Sequence, residues 1–225
     1  MTETTTSELR DQTPSNEPTR NWWRGDVGSL VARRVQRLQD TRDKSATVAI
    51  LARLRANINR EPGTDASIWA LTIRDVPGQP FGDAPTPEEL AVHTALTLFA
   101  IHQQSLAQPV HRDGVGFGRA VRQLENLDER SNDDGPSPVR RRFDAALTAN
   151  SLSELRYHLR GLISLMHSSK SHVVLDYGML ADDLRQFQRS GSVDAVRRRW
   201  ARQYYNVQKT ESNSTTSTIH EKEDN

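Results

Sequence analysis

Thr86-Pro-Glu-Glu-Leu-Ala-Val-His-Thr-Ala-Leu-Thr-Leu-Phe-Ala-Ile101 is the stretch on which the fold turns. A threonine hydroxyl can cap a helix, proline suits the first helical position because its missing N–H needs no partner there, and Glu89 stands where its carboxylate reaches back to the cap. Beyond this capping box, Leu90, Ala91, Val92, Ala95, Leu96, Leu98, Phe99 and Ile101 leave hardly any polar face. A helix that is apolar nearly all round belongs at the centre of a bundle. The pattern predicts a helix from about Pro87 to Leu106 with everything else packed on it.

The flanking segments supply the layers. Asp26 to Asp40 interleaves Leu30, Val31, Val35 and Leu38 with Arg33, Arg34 and Arg37, and about Asp43 to Asn59 turns Val48, Leu51, Leu54 and Ile58 inward; both read as amphipathic helices. A short helix from Asp65 to Ile73 is expected to plug a core with Trp69. After the central helix, Gly114 to Leu127, Ser137 to about Leu147, Ser151 to Met166, Asp176 to Arg189 and Ser192 to Asn206 each carry a helical stripe. No segment alternates apolar and polar residues with β-branched enrichment, so the expected class is all-α, two small bundles of eight to nine helices in total. The polar segment from Asn126 to Ser137, with Asn132-Asp-Asp-Gly-Pro136, is expected to divide an N-terminal subdomain (21–128) from a C-terminal one (129–206).

Both ends differ from the middle. Residues 1–20 and 207–225 are Ser, Thr, Asn and Glu with almost no large apolar side chain, and the expectation is two disordered tails. The tails hold four basic and eight acidic residues, which leaves 26 basic against 21 acidic in the middle: a net charge of +5 there, against +1 for the whole chain. Of those 26 only Lys44 and Lys170 are lysine. Arginine makes bidentate contacts to phosphate and stacks on bases, although a genome-wide codon bias would give the same count.

Gly114-Val-Gly-Phe-Gly-Arg-Ala-Val-Arg-Gln-Leu124 runs three glycines into a helix with Phe117, Ala120, Val121, Leu124 and Leu127 on one side and Arg119 and Arg122 on the other. A glycine-rich helix entrance exposes unsatisfied N–H groups where the helix dipole is positive, a site for an anion such as a phosphate backbone. It is equally readable as a loop and a cap. A dinucleotide fingerprint is excluded by the helical pattern upstream, where a β-strand would be needed.

The chemistry of an active site is missing from the sequence. The seven histidines form no His-Glu-x-x-His pair, there is no P-loop and no Gly-x-Ser-x-Gly elbow, and Asp182-Asp183 reads as a pair of surface carboxylates near a helix start rather than a metal site. No catalytic residue, metal or cofactor is expected. Without cysteine there is no disulfide, and no apolar run approaches the ~20 residues of a membrane span; the expected compartment is the cytoplasm, with no membrane contact.

An ordered series of short segments carries a resemblance: Leu51-Ala-Arg-Leu-Arg55, Trp69, His102-Gln-Gln-Ser105, Gly116-Phe-Gly-Arg-Ala120, Arg141-Arg-Phe143, His158-Leu-Arg-Gly-Leu-Ile163, Leu175-Asp-Tyr177 through Asp183-Leu184, and Trp200-Ala-Arg-Gln-Tyr-Tyr205. In order and spacing, over about residues 22–206, the chain resembles CasB, the small subunit of the type I-E CRISPR surveillance complex Cascade. The resemblance implies an all-helical, non-catalytic subunit, two copies of which lie head to tail beside the guide RNA and target strand. There they would hold the R-loop open by gripping guide RNA, target DNA and the displaced strand without reading sequence, in contact with other Cascade subunits, in antiviral defence. It carries basic positions onto Arg53, Arg55, Arg119, Arg141, Arg142 and Arg160. The helical wheel independently favours Arg53, Arg119, Arg122 and Arg141, and places Arg55 at a border suited to a structural ion pair. The acidic tails have no counterpart in the family pattern. The competing reading is a helical protein–protein adaptor whose arginines meet acidic partners and no nucleic acid.

Overall fold

The computed structural model describes residues 24–127 and 135–206; the expected tails and most of the expected hinge lie outside the described residues. Among the described residues the helices are α1 (Asp26–Asp40), α2 (Ser45–Ala56), α3 (Trp69–Thr72), α4 (Pro87–His102), α5 (Phe117–Asn126), α6 (Pro138–Thr148), α7 (Leu152–Ser168), α8 (Tyr177–Phe187) and α9 (Val193–Tyr205), with a 3-10 turn at Ala66–Ile68 leading into α3. No β-strand occurs among them, only an isolated bridge between His111 and Leu175. The all-α expectation holds.

The starts of the helices follow the local chemistry. Thr86 accepts the Glu89 N–H (3.1 Å) and Glu89 accepts the Thr86 N–H (2.9 Å), closing the capping box of α4. Ser137, Ser151 and Asp176 cap α6, α7 and α8 in the same way. Every residue of α4 from Ala91 to Ala100 is buried, with α1, α2, α3, α7 and α8 around it. The helix ends at His102, short of Leu106. There the Gln103 amide donates to the carbonyls of Leu106 and Gln108 and accepts the Val110 N–H, which turns the chain away.

Two packing groups exist, but they do not follow the chain. The expected boundary near residue 128 falls outside the described residues, and on either side of it the helices exchange places: α8 packs against α1 and α4, while α5 packs against α9 and α6. One connected apolar core joins the groups through α4 against α7.

The exchange depends on close backbone approach. At the crossing of α1 and α8, a Cβ on Gly28 would lie 2.6 Å from the Gly178 carbonyl oxygen, and a Cβ on Gly178 would lie 2.6 Å from that of Gly28. One turn on, Asp182 accepts the N–H groups of Gly25 and Gly28 (2.8 Å each), giving α1 the N-terminal cap that Gly25 has no side chain to provide. The expectation of surface carboxylates at Asp182-Asp183 is therefore overturned. Both lie in the middle of α8 and not at its start, and Asp183, 1% exposed, accepts the Trp200 indole N–H (2.6 Å) and bonds Arg199. Burial raises the Asp183 carboxyl to about 6 in spite of these donors.

Three apolar assignments also change. Trp69 is half exposed and donates to the Gly63 carbonyl (3.0 Å), so Ile68 beside it fills the core. Val48 and Leu127 face outward. Arg34, within the stripe of α1, is buried with its guanidinium on the carbonyls of Leu71 and Arg74.

Because the Gly28–Gly178 contact is backbone on backbone, Gly178→Ala should force the helices apart and lower unfolding free energy by about 1–3 kcal/mol or more, measured by urea denaturation. His93 provides a second test. It is 1% exposed with both ring nitrogens unpartnered among the described residues, and burial lowers its pKa to about 4. The unfolded chain therefore takes up the proton first, near the ordinary 6.5, so stability is full above that pH and falls as pH drops toward about 4. His93→Leu should flatten this dependence, gaining on the parent chain by ~1.4 kcal/mol per pH unit across that window.

Candidate nucleic-acid interface

Helices α6 and α7 lie side by side, and each turns one face into the gap between them. From α6 come Pro138, Arg141, Arg142 and Ala145, spaced as one helical face; from α7 come Tyr157, Arg160, Gly161, Ser164 and Ser168. Together they line an open groove of about 740 Å³ in which no lining residue is acidic. The opposite faces bury Val139, Phe143 and Ala146 of α6 and Leu155, Leu159, Leu162 and Ile163 of α7, which fixes the direction of the arginines. Glycine at 161 makes room: a Cβ there would lie 2.8 Å from Arg142 Nη1, so the guanidinium rests over bare backbone. Arg141 donates to the Pro136 carbonyl (3.0 Å) and Arg160 to the Asn59 side-chain oxygen (3.0 Å), neutral acceptors that leave both charges uncompensated. Arg160 also brings the groove to the end of α2, where Arg156 donates to the Ile58 carbonyl (2.8 Å).

Three of the seven expected arginines thus converge: Arg141, Arg142 and Arg160. The other four do not join them in this groove. Arg53 and Arg119 are exposed on α2 and α5, away from this groove. Arg55 is half-buried, donates weakly to the Ala100 carbonyl (3.4 Å) and has its pKa lowered by burial; it lines a separate hollow with Arg42 and Gln104, so its structural role is a backbone contact and not the ion pair expected. Arg122 is tied to its own helix and to α9. It pairs with Glu125 (3.0 Å) and lies over the Tyr204 ring (5.4 Å to its centre), and Glu125 in turn accepts from Ser137 (2.7 Å) and the Tyr204 hydroxyl. The wheel shows which side Arg122 leaves on, but not that α9 covers that side.

The glycine entrance of α5 is closed for the same reason. A Cβ on Gly118 would lie 2.0 Å from the Trp200 carbonyl oxygen, and the Gly118 N–H donates to Gln203 (3.1 Å). Gly114 N–H donates to the buried Asp176 carboxylate (2.8 Å). The anion that this segment receives is the protein's own, and the close approach of α9 is what the glycines permit. A grouping absent from the sequence reading is His111, Asp113 and Asp176, whose ligand atoms lie within 4.8 Å of one another. The Arg24 guanidinium bonds both carboxylates, and the Tyr177 N–H donates to His111 Nδ1 (3.1 Å), so this cluster already contains its cation.

Tyr157 and His158 of the groove were not among the expected site residues. The available signal was the place of Tyr157 opposite the Leu155, Leu159 and Leu162 stripe, one turn before Arg160, while His158 lies on the flank of that stripe.

Residues 50–205 match the family of CRISPR-associated protein Cse2. The crystal structure of CasB from Thermobifida fusca is 33% identical in sequence, with a TM-score of 0.66 over 80% of this chain and 98% of its own. CasB from Thermus thermophilus (23% identical, TM-score 0.55, covering 80% of this chain and 97% of its own) and CasB of M. ruber (20%, 0.54, 78% and 93%) share the fold. No curated protein matches the chain. An all-helical protein with the CasB fold is thereby defined. The chain belongs to the CRISPR-associated Cse2 family, the type I-E CasB proteins, as its sequence segments suggest. No helix among the described residues is long and apolar enough to cross a membrane.

The division of the arginines has a direct test in thermal melts. Arg122→Ala strips one donor from the nearly buried Glu125 and should cost about 1 kcal/mol, whereas Arg119→Ala should stay within about 0.5 kcal/mol of the parent.

Proposed function

We propose that this chain is the non-catalytic small subunit of a type I-E Cascade complex, and that it grips the backbone of guide RNA, target DNA or the displaced strand without reading sequence. The observation that carries the reading is the α6/α7 groove: three guanidinium groups from two helices, no acidic lining residue, and acceptors that are all neutral. Guanidinium groups clustered without counter-charge repel one another, so a groove of this kind is stabilised by an external anion. The spacing along two helices suits a chain of phosphates better than a single small ion, and arginine forks match phosphate oxygens. The exposed Arg53 and Arg119 would extend the contact. Base pairing with the guide would supply specificity. Membership in the Cse2 family supports the assembly, with other Cascade subunits and a second, head-to-tail copy as protein partners in the cytoplasm.

The test is Arg141→Glu with Arg160→Glu in the full chain, alone and in the assembled complex. Fluorescence anisotropy at about 0.1 M salt should show affinity for nucleic acid reduced by about a hundredfold, roughly 2.7 kcal/mol. The salt dependence should flatten, since each lost phosphate contact removes about 0.7–0.9 from the slope of log K against log salt. Circular dichroism and melting should not change, because both side chains are exposed. Unaltered affinity together with loss of a protein partner would favour the adaptor.

A further inference from the structure

The chain has four tyrosines, and three are accounted for by the fold. Tyr177 is fully buried with its hydroxyl on His102 Nδ1 (2.9 Å). Tyr204 is buried with its hydroxyl on Glu125. Tyr205 is exposed but lies beneath the Arg140 guanidinium (5.2 Å to its centre). Tyr157 differs: it is 75% exposed, no arginine among the described residues covers its ring, and its ring contact there is the edge of His158 (5.3 Å between centres, 76° between planes). A ring three-quarters exposed buries little apolar surface for this fold, yet this one lines the groove of Arg141, Arg142 and Arg160, one turn of α7 before Arg160.

We propose that Tyr157 is a stacking platform for an unpaired nucleobase, which makes the α6/α7 groove a site for single-stranded nucleic acid in preference to duplex. The inference rests on the reading of that groove as a phosphate-binding surface and adds the part of the ligand that phosphate contacts do not distinguish. A ring beside a row of cations meets both halves of a single-stranded chain: the arginines take the phosphodiester oxygens and the ring takes the face of a base swung out toward it. In a duplex the same faces are already stacked on their neighbours and unavailable. The lining between the arginines includes the small residues Ala145 and Ser164, and the Arg142 guanidinium rests over Gly161. Since every base has a π-face, the contact is indifferent to sequence, in agreement with a site that grips without reading. An unpaired base on a phosphodiester chain is common to RNA and to DNA, and the two are separated by experiment.

The full chain is titrated with labelled oligo-dT, with oligo-U of the same length, and with a mixed-sequence duplex. Tyr157→Ala should lose about tenfold in affinity for the strand that is the natural ligand, within the range of stacking a single base. Tyr157→Phe should stay within about twofold. Duplex affinity and the salt slope should not change in either variant, because the arginines are intact. A 2-aminopurine placed in the strand should be quenched on binding to the parent and to Tyr157→Phe but not to Tyr157→Ala. The exposed ring makes no core contact, so the melting temperature should hold. If Tyr157→Ala binds every probe like the parent, or loses single strand and duplex alike, the stacking role is overturned. If the Arg141→Glu, Arg160→Glu variant also binds like the parent, the groove reading falls with it; if only that variant weakens, the groove stands and the tyrosine does not.

Discussion

The contact of α1 with α8 across Gly28 and Gly178 is the constraint from which the arrangement follows. With no Cβ on either side, the two backbones meet at a distance that no other residue pair allows, and the Asp182 carboxylate then reaches the free N–H groups at the start of α1. A helix from late in the chain is thereby fastened to the first described helix and to the apolar α4. This long-range attachment carries the second packing group with it, since α9 follows α8 and brings Trp200 against Phe117 (4.7 Å between ring centres). Asp176 reinforces the seam by capping α8 while bonding Arg24 and the Gly114 N–H. The same geometry that locks the fold also shuts the glycine entrance of α5.

Arginine stands in two kinds of environment here, and counter-charge distinguishes them. Arg24, Arg122, Arg140 and Arg199 each meet a carboxylate of the chain, and Arg140 is held protonated chiefly by Asp144. The Arg24 and Arg199 pairs join separate segments, whereas those of Arg122 and Arg140 lie within α5 and α6. Arg141, Arg142 and Arg160 meet neutral oxygens or open space in one groove, and this is the condition under which a guanidinium remains available to a phosphate. Charge density alone would have ranked both sets equally.

Much of this could be read before any coordinates. The capping box at Thr86 and the helix starts at Ser137 and about Asp176 are local hydrogen-bond chemistry, and the stripes of α6, α7 and α9 dictate which side is buried. Arg141, Arg142 and Arg160 were legible as candidates because their positions oppose those stripes, or match the family pattern at its edge. The misplaced residues share one feature: their environment is made by a distant segment. Arg122 faces away from the stripe of α5, and only the docking of α9 places Tyr204 over it. Asp182 looks like a surface carboxylate until α1 arrives. Trp69 is the larger side chain, yet the turn at Ala66–Ile68 hands the core to Ile68.

By itself, then, the sequence determined the class of structure, the central helix, the caps and the inward side of most helices, because hydrophobic periodicity and capping act within a few residues. The tertiary structure decided which helices share a bundle, which arginines are neutralised and which three line one groove. Those outcomes depend on pairs of residues tens of positions apart, such as Gly28 with Gly178 and Gly118 with Trp200, whose meeting leaves no periodic trace in the chain.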